Sequence, residues 1–252
     1  MNKPSSKGFI AAFGLLASVA SVSVAADKYA VVSAIGDELT IVTYQPSVGS
    51  NIDANRRQVV PLRDDSFDQI AAKAAEVAIH RVQPDATTVI EPQPEKSVFM
   101  HDDRSSNQSL SPEQLGQLRK GVKDADVRYL LVISKSRGDT RMQFRNERLG
   151  EGKLFGIGFY FDRFTWVAED DGREGQGFLA SYAYLSVSLV DLQTGNVVRT
   201  RTTAETTSIG TGSSQSETHP WDAVPAAKKV QALNEAIERA VTTSVPQVLA
   251  PG

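Results

Sequence analysis

Residues 182–190 (YAYLSVSLV) alternate in side-chain character without a break. A period of two puts Ala183, Leu185, Val187 and Leu189 on one side of a strand and Tyr182, Tyr184, Ser186 and Ser188 on the other. No helix satisfies that pattern, so a chain carrying it must build a sheet. Asp191-Leu192-Gln193-Thr194-Gly195-Asn196 then offers turn residues, and residues 197–207 return as a strand rich in Arg and Thr. The pattern predicts an antiparallel hairpin that is wet on one side, with a polar outer face on the returning strand.

Other segments fall around this hairpin. Residues 29–35 and 39–44 are β-branched and aromatic, and Gly36-Asp37-Glu38 between them predicts a first β-hairpin with Gly36 at positive φ. Val59-Val60 predicts a short extended piece. Phe67, Ile70, Ala71, Ala74, Val77 and Ala78 recur at helical spacing, capped from Asp64, Asp65 or Ser66 and stopped near Gln83 by Pro84. Residues 87–90 resemble a short buried strand. Ser111-Pro112-Glu113-Gln114 combines an N-cap serine, a proline at the first helical position and a capping-box glutamine, with Leu115, Leu118 and Val122 as the buried stripe. Residues 127–133 (VRYLLVI) are apolar on both faces apart from Arg128, which predicts a central strand covered by helices. Val230, Leu233, Ile237, Val241 and Val245 mark a last helix that begins near Pro225 and weakens at Pro246.

The order of elements predicts an α+β domain: a mixed, largely antiparallel sheet with helices packed mainly on one face, in two or three layers. Residues 134–178 read as a glycine- and aromatic-rich β-hairpin extension inserted into a single domain spanning 27–252, with a turn or tip over 170–177. A hydrophobic content of 40% and a charged content of 23% lie in the globular range.

The amino terminus sets the expected compartment. Lys3 and Lys7 precede an apolar run over 9–22, and Val24-Ala25-Ala26 places small residues where a signal peptidase reads. Residues 1–26 are therefore expected to be a cleavable signal peptide, and the mature chain periplasmic or secreted. The alternative, a membrane anchor, would need about 20 apolar residues. The run is shorter and diluted by Gly, Ser and Ala. No other segment reaches spanning length, so no transmembrane segment is expected after cleavage. Cysteine is absent, so packing alone must hold the fold, and no lipid-accepting cysteine follows the leader. The formal charge of -3 becomes -5 once Lys3 and Lys7 are removed. With basic residues scattered among acids, nucleic acid is excluded as the main partner.

Asp124-Ala-Asp-Val-Arg-Tyr-Leu-Leu-Val-Ile-Ser, followed by Tyr184-Leu-Ser-Val-Ser-Leu-Val-Asp-Leu-Gln-Thr-Gly-Asn-Val-Val, resembles the layout of a group of bacterial envelope domains. These are the TolB amino-terminal domain and the curli-secretion and penicillin-binding-protein-activator lipoproteins. The resemblance covers roughly residues 112–205. It implies a fold and an envelope setting and carries no catalytic residues. The chain departs from the lipoproteins by lacking their cysteine and from TolB by lacking a propeller.

Catalytic patterns are weak. His80, His101 and His219 are far apart, and His101-Asp102-Asp103 is the one metal-like trio, read as a solvated loop. There is no G-x-S-x-G, and Ser213-Ser214 reads as linker. Gly150-x-Gly152 and Gly210-x-Gly212 lack the strand-to-helix setting of a phosphate loop. The acid pairs Asp64-Asp65 and Asp102-Asp103 and the run Glu169-Asp170-Asp171 suit caps and turns. No cofactor and no metal site is predicted.

The aromatic run is the one candidate site. Phe155, Ile157, Phe159 and Phe161 alternate, and Phe164 and Trp166 continue it. One reading fills the core with Phe155, Phe159 and Phe161. The other makes an exposed apolar patch for a partner, with Tyr160 and Arg163 as rim residues. The function expected is a non-enzymatic interaction or accessory module of the cell envelope, with another envelope protein as partner. The alternative is a small-ligand binder or hydrolase with its site on loops 46–55, 92–110 and 208–220, and a purely structural envelope component is a third.

Overall fold

The alternating segment lies in the longest strand among the described residues, and that length organises the sheet. The computed structural model describes residues 27–46, 53–92, 112–122, 124, 126–144, 147–168, 174–211 and 220–250. The expected leader 1–26, most of loop 92–110, His101, His219, Ser213-Ser214 and residues 169–173 lie outside the described residues, and of the expected 170–177 tip residues 174–177 are strand.

In chain order the elements are β1 (Lys28–Ala34), β2 (Glu38–Thr43), β3 (Arg56–Pro61), α1 (Ser66–Val82), β4 (Thr87–Ile90), α2 (Pro112–Gly121) and β5 (Tyr129–Lys135). Then follow β6 (Arg137–Asp139), β7 (Met142–Phe144), β8 (Glu147–Leu149), β9 (Lys153–Ala168), β10 (Glu174–Asp191), β11 (Asn196–Thr211), α3 (Pro220–Ala223) and α4 (Ala226–Leu249). The result is a strand-rich, mixed α+β fold.

Along one edge of β10, residues 174–184 pair with β9 and residues 185–191 pair with β5, while β11 pairs with the other edge. The sheet runs β3-β2-β9-β10-β5-β1-β4. It therefore has two wings, β9 with β2 and β3, and β5 with β1 and β4, joined by the β10–β11 hairpin. β2–β9, β1–β5 and β1–β4 are parallel, and the other pairs are antiparallel.

Alternation assigns each strand's residues to separate cores. Tyr29, Val31, Leu131, Ile133, Phe159, Leu185 and Val187 share the main cluster with α1 and α4. Ala30, Val32, Leu130 and Val132 lie in a cluster with Leu118 of α2. β5 is thus the doubly covered central strand that its continuous apolar run implies.

Three expectations are corrected. The first is the β1–β2 hairpin: β1 pairs with β4 and β5, whereas β2 pairs with β3 and β9, so the two enter different wings. Gly36 is not among the glycines with positive φ. It is needed because a Cβ there would stand 2.4 Å from Asp68 Oδ2. Buried Asp68, from the first turn of α1, accepts hydrogen bonds from Ser33 Oγ at 2.6 Å, Ile35 N at 2.8 Å and Gly36 N at 3.0 Å. One carboxyl group gathers the chain where β1 ends, so the glycine serves a side chain that arrives from 32 residues away.

The second correction concerns the hairpin's wet side: over residues 177–190 of β10 neither face is wet. Tyr182, Tyr184, Ser186 and Ser188 are all buried. Tyr182 and Tyr184 pack with Met142, Leu154 and Tyr160, and their hydroxyls donate to Thr40 O at 3.1 Å and Asp139 O at 2.8 Å. Ser188 Oγ and Thr200 Oγ1 share a hydrogen bond of 2.9 Å. The third concerns edges: among the described residues β4 borders only β1, and it is half exposed, with Ile90 open to solvent. At the far end, α4 continues through Pro246 to Leu249, and Val230 of its predicted seam is exposed.

The buried tyrosines predict an alkaline limit. Burial pushes the Tyr29 and Tyr184 hydroxyls up to about 12 and raises Tyr160 as well. Unfolded tyrosines titrate near 10. Above that pH the unfolded chain binds fewer protons than the native one, so stability is complete below about pH 10 and falls as pH climbs towards 12. An ultraviolet tyrosinate titration alongside alkaline unfolding checks this, and the expected outcome is that these rings ionise only as the protein unfolds.

Candidate functional site

The aromatic run occupies β9, and β9 is interior to the sheet, between β2 and β10, where an extension was expected. Its first half is core. Phe159 and Phe161 face α4 and the main cluster, and Trp221 of α3 meets Phe159 edge-on at 5.4 Å. Tyr160 points the other way, as expected, but it is fully buried and stacks on Phe178 at 5.9 Å. Its hydroxyl accepts the Glu151 N–H at 3.2 Å. The patch reading therefore fails for Phe159 and Phe161, and the rim reading fails for Tyr160. A strand flanked on both edges and covered on both faces offers no surface at those positions.

At Asp162 the strand changes character. Asp162 is buried, and its Oδ1 accepts the N–H of Phe164 at 2.6 Å and of Thr165 at 3.0 Å, while Oδ2 accepts the Thr165 hydroxyl at 2.7 Å. A side chain that takes up two successive backbone donors competes with the ladder and bends the strand. Pairing is Asp162↔Phe178 before the irregularity and Trp166↔Gln176 after it, so β9 carries more chain than β10 across this bulge. Opposite it, Gly177 has φ 82° and no room for a Cβ, which would lie 2.7 Å from Asp162 O. Val167, and not Trp166, rejoins the cluster of Tyr160, so the alternation has changed phase.

The bulge turns Arg163, Phe164 and Trp166 outward. Phe164 is 44% exposed and Trp166 57%. The Arg163 guanidinium lies 5.7 Å from the Phe164 ring, and Tyr44 meets that ring edge-on at 6.1 Å. The Tyr44 N–H donates to Phe161 O at 2.8 Å and fixes the ring beside the ridge. Desolvation, followed by the Glu151 and Asp162 charges, raises the Tyr44 pKa, so its hydroxyl stays a neutral donor. Tyr44 was missed by the sequence reading, because only the β2–β9 pairing brings it here.

Phe155 leaves this ridge altogether and lines a separate hollow with Arg137 and Tyr182. Elsewhere, His80 lies on α1 with Nε2 3.4 Å from Thr88 Oγ1. Among the described residues no group of three or more His, Cys, Asp or Glu could hold a metal ion, and no helix is long and apolar enough to cross a membrane.

No family model matches the chain, and no curated protein matches it. Among solved structures it is similar to protein XCC0632 from Xanthomonas campestris, of family-model DUF330, at 12% identity and TM-score 0.37, over 86% of this chain and 80% of that one. It is also similar to the PelC dodecamer from Paraburkholderia phytofirmans, at 14% identity and TM-score 0.33, over 90% of each chain. A third is the hypothetical protein CT253 from Chlamydia trachomatis, at 11% identity and TM-score 0.32, over 86% and 98%. None of these descriptions names a TolB, curli-secretion or penicillin-binding-protein-activator domain. Likeness of this degree carries no function across, and the site stands on its own geometry.

Proposed function

We propose that this protein is a non-enzymatic interaction module of the cell envelope that engages another envelope protein through the ridge of Phe164 and Trp166. The observation that supports the reading is their exposure: two large aromatic side chains stand in solvent beyond a bulge, next to Tyr44 and Arg163. Aromatic and arginine side chains are the residues that most often anchor protein interfaces. The envelope setting rests on the leader-like residues 1–26 and on the resemblance of residues 112–205 to envelope domains.

Replacing both Phe164 and Trp166 by serine tests this. The expected result is loss of partner capture from the native envelope fraction, with a melting temperature within a few degrees of the parent, since exposed positions contribute about 0.5 kcal/mol or less each. Undiminished capture by the folded double variant would overturn the reading. The mass of the protein isolated from the same fraction tests the setting: a chain beginning at Asp27 is expected.

A further inference from the structure

β11 pairs with β10 along one edge, and among the described residues its other edge meets no strand. In an antiparallel pair every second residue turns its N–H and C=O away from the partner strand, so a row of backbone donors and acceptors faces outward. Natural edges are blunted by shortness, proline, lysine or bulges. β3 is short and ends in Pro61, and β4 spans only Thr87–Ile90. β11 has none of these devices between Arg199 and Ser208, where its register with β10 is unbroken. That stretch, RTRTTAETTS, is rich in threonine, a strand former, and holds no Gly, Pro or Lys. An edge this long and regular is a template for another strand.

The charges along this edge select the partner. Arg199 donates to Gln247 O at 3.3 Å and to Ala250 O, which commits it to the end of α4. Arg201 is exposed, and among the described residues its guanidinium bonds only the neighbouring Thr200 O, at 3.3 Å. Glu205 Oε2 accepts from Arg239 Nε at 3.4 Å, which leaves Oε1. A copy of the chain turned about a two-fold axis through Thr203, normal to the sheet, sets each Arg201 opposite the other copy's Glu205 and each Thr202 opposite the other copy's Ala204. Opposite charges placed across a strand pair stabilise it, and like charges oppose it. An edge that carries its own complement at equal spacing on either side of one residue fits itself.

We infer that the protein forms a two-fold dimer in which β11 pairs with β11 of a second copy, antiparallel and centred on Thr203. α4 lies over the β10–β11 pair: Ser181 Oγ donates to Ala232 O at 3.0 Å on one strand, and Thr203 and Thr207 bond Ser244 and Arg239 on the other. Two strand spacings of about 4.8 Å then separate the two α4 helices. At about 10 Å helices pack against each other, so helix contact adds to strand pairing the area that a stable dimer needs. Val198, the extra residue of the bulge before Arg199, lies beyond the paired stretch. The interface shares no residue with the Phe164–Trp166 ridge.

Sedimentation velocity of the purified protein, its R201E and E205R variants and their equimolar mixture tests it. The parent is expected to dimerise with rising concentration. Each variant sets like charges opposite each other and is expected to dimerise at least about tenfold more weakly. The mixture is expected to recover the dimer, because R201E offers two glutamates to the two arginines of E205R. A parent still monomeric at about 1 mM, variants that dimerise like the parent, or a mixture no better than its components would overturn the inference. The chain has no cysteine, so T202C and A204C, both at exposed positions, give a second reading that does not depend on the charge variants folding. Oxidising their mixture is expected to give the mixed disulfide with little of either self-disulfide, since like positions stand more than about 7 Å apart in this register. Equal yields of all three products, or none of them, would overturn the inference as well.

Discussion

Asp68→Ala is expected to lower the free energy of unfolding by about 3–5 kcal/mol, because it orphans three buried donors at once. The substitution leaves the Ser33 hydroxyl and the N–H groups of Ile35 and Gly36 facing a cavity in a region closed to water. Each orphaned donor costs about 1–3 kcal/mol. A domain of this size has only about 5–15 kcal/mol to lose. Asp68→Asn should be milder, because an amide keeps one acceptor oxygen but turns its NH2 towards a donor. Urea unfolding of the three proteins checks the order: parent, then Asn, then Ala. Gly36→Ala should resemble the alanine variant, since its methyl displaces the same carboxylate.

The second large effect separates the two halves of the aromatic run. Phe159→Ala is expected to cost about 3–5 kcal/mol, as for other buried phenylalanines truncated to alanine. Its ring is 4% exposed, within the cluster that joins β9 to α4, and it supports Trp221. Trp166→Ala removes a larger side chain yet should change stability by about 0.5 kcal/mol or less, because 57% of that residue is already in solvent. Denaturant midpoints measured side by side read the contrast directly. Equal losses would mean that the ridge is packed and the bulge at Asp162 does not turn it outward.

What the sequence made legible was local. The stop of α1 before Pro84, the start of α2 at Pro112 and the start of α4 after Pro225 follow from residues within one turn of each boundary. The β10–β11 turn is equally local: Asp191 Oδ1 accepts the N–H groups of Gln193 and Thr194, and Gly195 takes φ 77°. Even the bulge left a trace, since the aromatics shift from odd positions at Phe159 and Phe161 to even ones at Phe164 and Trp166.

What was not legible depends on partners remote in sequence. Nothing within residues 28–43 says that β1 and β2 part company, because the bonds that separate them come from β5, β9 and Asp68. The Tyr and Ser face of β10 looks polar by composition, and at Tyr182 and Tyr184 it is dry because Met142, Leu154 and Tyr160 pack with the rings while the carbonyls of Thr40 and Asp139 take the hydroxyls. For the site, the same limit held: Phe164, Trp166 and Arg163 were visible in the run, whereas Tyr44 needs the parallel β2–β9 register.

Site-specific photocrosslinking in intact cells tests the central claim most directly, with the reactive side chain placed at Trp166 or, as control, at Val198. Val198 is similarly exposed, at 51%, but lies on β11 near the opposite end of β10. A discrete protein adduct from position 166 and none from 198 is the predicted result. No adduct from 166, or the same adducts from both positions, would contradict an interface built on the aromatic ridge.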